Sequence, residues 1–409
     1  MTTDVTENPA HEIVDVTTTD CCIVGGGPAG AVLALLLARF GVSVILLEAH
    51  KDFDRDFRGD TIHPSVMEIM EELELSDRLL QLPHAKMHRL RIRTPEDTIT
   101  LADFSHLKTH YPYITMMPQV KFLEFITQEA EKYLNFHLVM GANVQELIEE
   151  NGVIQGVRYR RGGWREVRAV LTVGADGRHS RLRQQGNFES IQTSPPMDVL
   201  WFRLPHHPED PEGGIGNVAQ GRIVAMLDRG EQWQLAYVIP KGGYQQIRAA
   251  GLEEFKKSVV EVVPSLSTRI EHLQDWSQVC FLCVESSRVK RWYRAGLLLI
   301  GDAAHIMSPV GGVGINYAIQ DAVVAANILS QPLKNKHIEL RDLAEVQRQR
   351  ELPTRMIQAF QTLIQKRVLA PILNSKQTFK PPVWLRLPIL RDFPGRLIGL
   401  GIFPVHVQT

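Results

Sequence analysis

Apolar and polar positions along this chain follow two alternating styles, and the change of style marks its organisation. Near the start, the apolar run Cys21-Cys22-Ile23-Val24 passes into Gly25-Gly26-Gly27-Pro28-Ala29-Gly30, which opens a helix. A second apolar run, Val44-Ile45-Leu46-Leu47, ends on Glu48. Ser65 caps a predicted helix over Val66–Leu73, and Ser76 starts a short one. Phe122, Phe125, Ile126 and Ala130 recur at helical spacing and predict an amphipathic helix over Val120–Tyr133. Alternation predicts strands at Arg89–Arg93, Thr98–Leu101, Phe136–Met140 and Val144–Ile148, and a hairpin of Val153–Arg160 with Glu166–Thr172.

After Arg183 the style shifts. Short alternating strands at Val199–Leu204, Arg222–Leu227 and Gln232–Ile239 are punctuated by Pro205-His206-His207-Pro208 and Glu212-Gly213-Gly214. From Ser287 the earlier style returns, with a strand at Leu297–Ile300, a glycine-rich turn and a long helix over Ile315–Leu329. The pattern predicts an inserted β-sheet domain over 86–114 and 186–284. It interrupts a discontinuous Rossmann-like domain over 20–85, 115–185 and 285–370. A mobile tail is expected over 1–19 and a C-terminal helical segment over 371–409.

Composition narrows the classes. A chain of 409 residues holds two or three domains, and a net charge of −1 gives no reason to expect nucleic acid. Its apolar runs are too short to span a bilayer, and the first residues show no secretory signal, so a cytoplasmic location is expected. Cys280-Phe281-Leu282-Cys283 lies in a β-like run, where residues three apart face opposite sides. The four cysteines therefore read as small buried thiols, not as a redox pair or a metal site.

The opening turn carries the strongest chemistry. Gly25 permits a tight turn, Gly27 lets backbone amides approach a pyrophosphate, and Gly30 lets the helix pack on the strand. Pro28 and Ala29 begin the helix, whose N-terminus favours an anion, and Glu48 is placed to accept from ribose hydroxyls. Two later segments add to it. One is Val173-Gly174-Ala175-Asp176-Gly177-Arg178-His179-Ser180-Arg181-Leu182-Arg183. The other runs Gly301-Asp302-Ala303-Ala304-His305-Ile306-Met307-Ser308-Pro309-Val310-Gly311-Gly312-Val313-Gly314-Ile315-Asn316 and on to Asp321. There Asp302 can bond a sugar-chain hydroxyl, and the amides of Gly314, Ile315 and Asn316 can hold carbonyl-type oxygens.

In order and spacing, these three segments resemble the FAD motifs of the single-component FAD-dependent aromatic hydroxylases, the family of p-hydroxybenzoate hydroxylase. Asp176-Gly177 with Ser180 and Arg183 matches the motif that links FAD and NAD(P)H handling. Gly301-Asp302 with Pro309, Gly312, Gly314 and Asn316 matches the one that holds the ribityl chain and flavin ring. Arg58 resembles a family arginine that touches FAD, and Gln119 a glutamine on the FAD chain; either is otherwise a solvated surface residue.

The resemblance implies an α/β fold with a Rossmann-like FAD domain, an inserted mostly-β substrate domain and a C-terminal helical segment. It implies a monooxygenase in which NADH or NADPH reduces FAD, O₂ adds at flavin C4a, and oxygen passes to an aromatic, polycyclic or isoprenoid small molecule. No second G-x-G-x-x-G appears, as befits a nicotinamide that binds transiently. A prenyl-reducing flavoenzyme shares the architecture and is the alternative. A halogenase is weaker, since Leu235-Ala236-Tyr237-Val238-Ile239-Pro240 lacks both tryptophans of that family's W-x-W-x-I-P segment. Trp201, Met226, Trp233 and Tyr237 are candidates to line an aromatic pocket, with Arg203 orienting an anionic group; the bland alternative is sheet core and a surface charge. The Pro381–Val407 stretch is open to four readings: a pocket closure, a subunit contact, a peripheral membrane patch, or packing on the chain's own body.

Overall fold

The structure, a computed structural model, describes residues 13–54, 61–211, 213–374 and 388–408. Its larger sheet has a parallel spine ordered Leu297–Leu299, Trp164–Gly174, Ile13–Val24, Val44–Glu48, Phe136–Met140. Over Cys21–Val24 and Val44–Glu48 every residue is buried, which is why these strands read as unbroken apolar runs. The helix Pro28–Arg39 is buried from Ala29 to Ala38 and packs against the helices Gln119–Ala130 and Gly314–Lys334. A helix apolar on all sides belongs inside a layered α/β domain.

One expectation fails at once. Ile13–Thr19 is the first half of the Ile13–Val24 strand, paired in parallel with Trp164–Ala169, so the mobile tail expected over 1–19 is ordered strand from Ile13 onward. Residues 1–12 lie outside the described residues. Most side chains of Ile13–Thr19 are exposed, so no buried face announces the strand. Their β-branched valines and threonines nonetheless favour extended pairing.

The second sheet has seven strands in the order Cys280–Leu282, Met197–Pro205, Gln232–Pro240, Arg222–Asp228, Gly214–Ala219, Arg89–Arg93, Thr98–Asp103. Its register separates the aromatic candidates. Trp201 lies opposite Ala236, while Leu200 lies opposite Tyr237 and Met226 opposite Leu235. Directly opposed residues share a face and successive residues alternate. Met226, Trp233 and Tyr237 therefore sit with Leu200 and Phe202 under the helix Leu252–Val262, in a cluster around Phe255. Trp201 is on the other face with Ala225 and Ala236, and Arg203 is exposed. These five residues cannot line one pocket. Trp233 is fully buried and its Nε1 donates to Asp210 at 2.8 Å, a core role.

One smaller correction follows from the same sheet. Cys280 is half-buried and Cys283 exposed at its edge, so only Cys21 and Cys22 are buried thiols. In the 205–208 loop, the His206 ring packs on Trp233 with centroids 4.7 Å apart.

Of the C-terminal stretch, residues 375–387 lie outside the described residues. The helix Pro388–Gly399 lies against the strand Thr98–Asp103, and its Ile398 packs among Met87, Phe104 and Met116. Beyond it, His406 accepts from Asn327 Nδ2 at 2.8 Å and Val407 N donates to Glu72 at 2.8 Å. The segment is thus strapped to the chain's own body. Among the described residues no helix is long and apolar enough to cross a membrane.

Candidate functional site

The first glycine turn is fixed by near contacts. Gly25 has φ +106°, and a Cβ there would stand 2.4 Å from the Ala175 carbonyl oxygen. At Gly30 a Cβ would stand 2.0 Å from the Gly25 oxygen. Neither position admits a side chain. Gly27 differs, because nothing of the protein lies within 4 Å of a Cβ built on it. It faces open space at the N-terminus of the buried helix, with Pro28 supplying the pre-set first helical residue and Ala29 beneath. Glu48 is buried at the end of its strand. Its Oε2 accepts from Gly26 N at 2.8 Å and its Oε1 from His50 N and Nδ1 at 2.9 Å, which fixes the carboxylate in place.

The second segment is tied to the first, since Ala175 N donates to Val24 O at 2.8 Å. Asp176 accepts from Ser180 Oγ at 2.6 Å and from the amides of Arg181 and Leu182. Burial pushes its carboxyl pKa up, and these hydrogen bonds work against that rise. Ser180 in turn caps Arg183 N at 2.9 Å. The Arg183 guanidinium reaches across to the carbonyls of Asp302 at 3.2 Å and Ala303 at 3.0 Å, joining the second segment to the third. Its partial burial lowers its pKa.

The third segment is held from several directions. Gly301 N donates to Asp321 Oδ2 at 3.0 Å, and that carboxylate also takes His305 Nε2 at 2.6 Å and Arg350 Nε at 2.8 Å. Asp321, His305 and Arg350 are all buried. Burial opposes ionisation of Asp321, but the charges and hydrogen bonds of His305 and Arg350 overturn it and hold its pKa below the usual carboxylate range. Gly311 and Gly312 have φ +81° and +64°. Gly312 O accepts from Thr61 Oγ1 at 2.9 Å and from Asn316 Nδ2 at 3.2 Å, and Asn316 Oδ1 accepts from His63 N at 2.8 Å. His63 Nδ1 lies 2.7 Å from Ile398 O, and burial lowers the His63 pKa to about 4.

Asp302, Pro309, Gly312, Gly314 and Ile315 are half-buried along this loop, and Asn316 is buried. Gly314 meets only Met307 Cβ, at 3.8 Å, so it too is open. Gln119 is the half-buried first residue of the helix Gln119–Ala130. Arg58 lies outside the described residues. The glycine-rich loop also meets the second sheet. Val310 packs with Val218, Ile223 and Val238, on the sheet face opposite Trp233 and Tyr237, and Val368, Leu369 and Ile372 close the same cluster. This face and these residues escaped sequence reasoning, because alternation does not say which face meets which neighbour.

The donor set suits a dinucleotide. An open glycine at a helix N-terminus, a rigid acid at the next strand end, and a second helix N-terminus at Gly314 offer amides to anionic and carbonyl-type oxygens. Among the described residues no cluster of metal-ligating side chains exists.

Comparison with known proteins agrees. The FAD binding domain family matches residues 18–358. The 6-methylpretetramide 4-monooxygenase of Streptomyces rimosus is 32% identical over 358 residues, 86% of this chain and 85% of that protein. The uncharacterized aromatic compound monooxygenase YhjG of Bacillus subtilis (strain 168) is 26% identical over 315 residues, 74% of this chain. The match spans 60% of that longer relative. Among solved structures, P. aeruginosa PqsL in complex with 2-aminobenzoylacetate aligns with a TM-score of 0.76 at 20% identity, covering 88% of this chain and 100% of PqsL. At that identity the likeness is one of fold.

Proposed function

Since the chain belongs to the FAD binding domain family and its relatives make it a flavoprotein monooxygenase, we propose that it uses NADH or NADPH and O₂ to oxygenate an aromatic or polycyclic small molecule. Bound FAD would supply the redox chemistry by which one atom of O₂ enters the substrate. Gly27 and the N-terminus of Pro28–Arg39 take the pyrophosphate, and Glu48 takes the adenosine ribose. Asp302 takes the ribityl chain, and the amides of Gly314, Ile315 and Asn316 take the flavin carbonyls. Gln119 and Arg58 complete the FAD contacts on this reading, and Pro309 with Gly312 shapes the loop beneath the ring.

The substrate sits beside the apolar cluster in which Val310 of that loop packs on Val218, Ile223 and Val238 with Val368, Leu369 and Ile372. These apolar walls suit a flat, electron-rich ring system and exclude water from the reacting centre. A phenolic substrate also loses a proton as its ring is attacked. The polycyclic aromatic named for the Streptomyces rimosus relative is the class we favour.

The observation that carries this reading is the Arg183 bridge. It links the second and third segments beside an opening turn that is itself bonded to the second, so all three are tied together. The test is NAD(P)H and oxygen consumption with a panel of phenols and polycyclic phenols, with isotopically heavy O₂. Substrate-stimulated oxidation with one heavy atom in the product is expected. Substrate reduction without oxygen uptake would make it a reductase instead.

A further inference from the structure

The helix Leu340–Ile364 and the π-helical turn Gln365–Leu369 that follows it present three buried glutamines, Gln358, Gln361 and Gln365, spaced three and four apart. Gln358 Nε2 donates to Ser287 O at 2.9 Å and Ile306 O at 3.2 Å. Gln361 Nε2 donates to both Ser308 O and Val310 O at 2.8 Å. Gln365 Nε2 donates to Ser308 Oγ at 2.5 Å. Every backbone group they hold, apart from Ser287 O, belongs to the stretch 306–310 that leads into the Gly311–Gly312 turn.

The loop therefore has two separately anchored halves. Residues 312–316 are fixed from the front by Thr61 and Asn316, and residues 306–310 are fixed from behind by the glutamines. Between them stand two glycines in the left-handed region, the part of the backbone with the fewest steric constraints. Without the rear anchor, only the bonds of Thr61, His63 and Asn316 resist a hinge at that pair. At Gln365 the helix also passes into a π-helical stretch, Gln365–Leu369, a deviation common at functional sites, which turns Val368 and Leu369 onto the sheet.

We propose that Gln361, supported by Gln358 and Gln365, is a positioning residue that sets the angle at which the amides of Gly314, Ile315 and Asn316 meet the flavin ring. This rests on the FAD reading above. The role is not bulk packing, because a leucine fills the same volume yet leaves the Ser308 and Val310 carbonyls buried without donors. Misaimed amides hold the reduced, anionic ring less well than the oxidised one, so the redox balance of the flavin moves as well as its affinity.

The experiment titrates the apoprotein with FAD, follows quenching of flavin fluorescence, and measures the midpoint potential of the reconstituted protein. Gln361→Leu and Gln361→Glu are compared with wild type and with Gln349→Leu, an exposed position on the same helix. We expect FAD affinity to fall about ten- to a hundredfold in both Gln361 variants, two lost hydrogen bonds at ordinary strength. We expect the ratio of affinities for reduced and oxidised flavin to fall by up to about tenfold, which is about 30 mV for a two-electron couple. Wild-type affinity and potential in the Gln361 variants would overturn the proposal, as would a loss of FAD that merely tracks a lower apoprotein melting temperature. If Gln361→Leu does not fold, Gln365→Leu removes a single contact and should move affinity and potential in the same direction by about threefold. An unchanged potential there would equally overturn it. Failure of wild type to bind FAD at all would instead bring down the FAD reading itself.

Discussion

The Gly25–Gly30 turn and the Gly301–Asn316 loop both end at a helix N-terminus, yet they take their shape from different sources. The first is set mainly within its own strand–turn–helix unit, by the positive φ of Gly25 and by Gly30 against Gly25 O, with the Ala175 carbonyl of the second segment closing on Gly25. The second is set by Thr61, His63, Asp321, Arg350, the three glutamines and Ile398, drawn from far along the chain. A locally built turn fails or stands as a unit. A loop assembled from distant anchors is adjusted one anchor at a time, and each anchor is a point where the rest of the molecule can act on the cofactor.

The comparison breaks most visibly at Gly25. Gly25→Ala places a methyl against backbone at a positive φ, and we expect a loss of about 3 kcal/mol or more and little soluble protein. Gly27→Ala is its counterpart. The added methyl meets no protein atom, so the apoprotein should melt within about 2 °C of wild type while FAD affinity drops at least about tenfold. Thermal melts and FAD titrations of the two apoproteins decide the matter; equal behaviour of the pair would refute the distinction.

The next test acts on the distant anchors through pH. His63 titrates at about 4 when folded and near 6.5 when unfolded, because burial disfavours its charged form. Between those values the unfolded chain binds the extra proton, so stability is full above about 6.5 and falls as pH drops toward 4. The total is about 3 kcal/mol, and it comes from the buried ring, since the bond to Ile398 O favours the charged form. Urea midpoints at pH 7 and pH 5 measure it. His63→Gln, which does not titrate, should flatten the profile, and an unchanged slope in that variant would remove His63 from the account.

The smallest effect sharpens the comparison. Thr61→Val keeps the shape and deletes one donor to Gly312 O, which retains Asn316 Nδ2. A loss of about 1 kcal/mol and about a fivefold weaker FAD are expected, read by the same melt and titration. A much larger loss would mean that the loop is as indivisible as the opening turn.

Much of this was readable before the fold was known, for definite reasons. The strands at Arg89–Arg93 and Phe136–Met140 have the predicted ends, since short-period alternation and breakers bound them. The helix predicted from Val120 begins one residue earlier at Gln119, and the long helix predicted over Ile315–Leu329 runs Gly314–Lys334. The failures share a cause. Ile13–Thr19 has an exposed outer face and so no hydrophobic period, although it pairs along its length. Trp233 and Tyr237 share a strand face, as expected, but that face turned out to be the one beneath Leu252–Val262.

What the chain determined by itself is whatever lies within one unit: the turn that only glycine can make at Gly25, the helix that follows it, and the acid at Glu48 that ends the next strand. Steric contact and strand periodicity act between near neighbours, so the order of residues is enough to state them. Only the tertiary structure decided which sheet face meets Val310, that Arg183 spans to the carbonyls of Asp302 and Ala303, and that glutamines some fifty residues further on hold the loop from behind. Those facts depend on how separate layers pack. Packing is a property of three-dimensional complementarity that no single stretch of sequence contains.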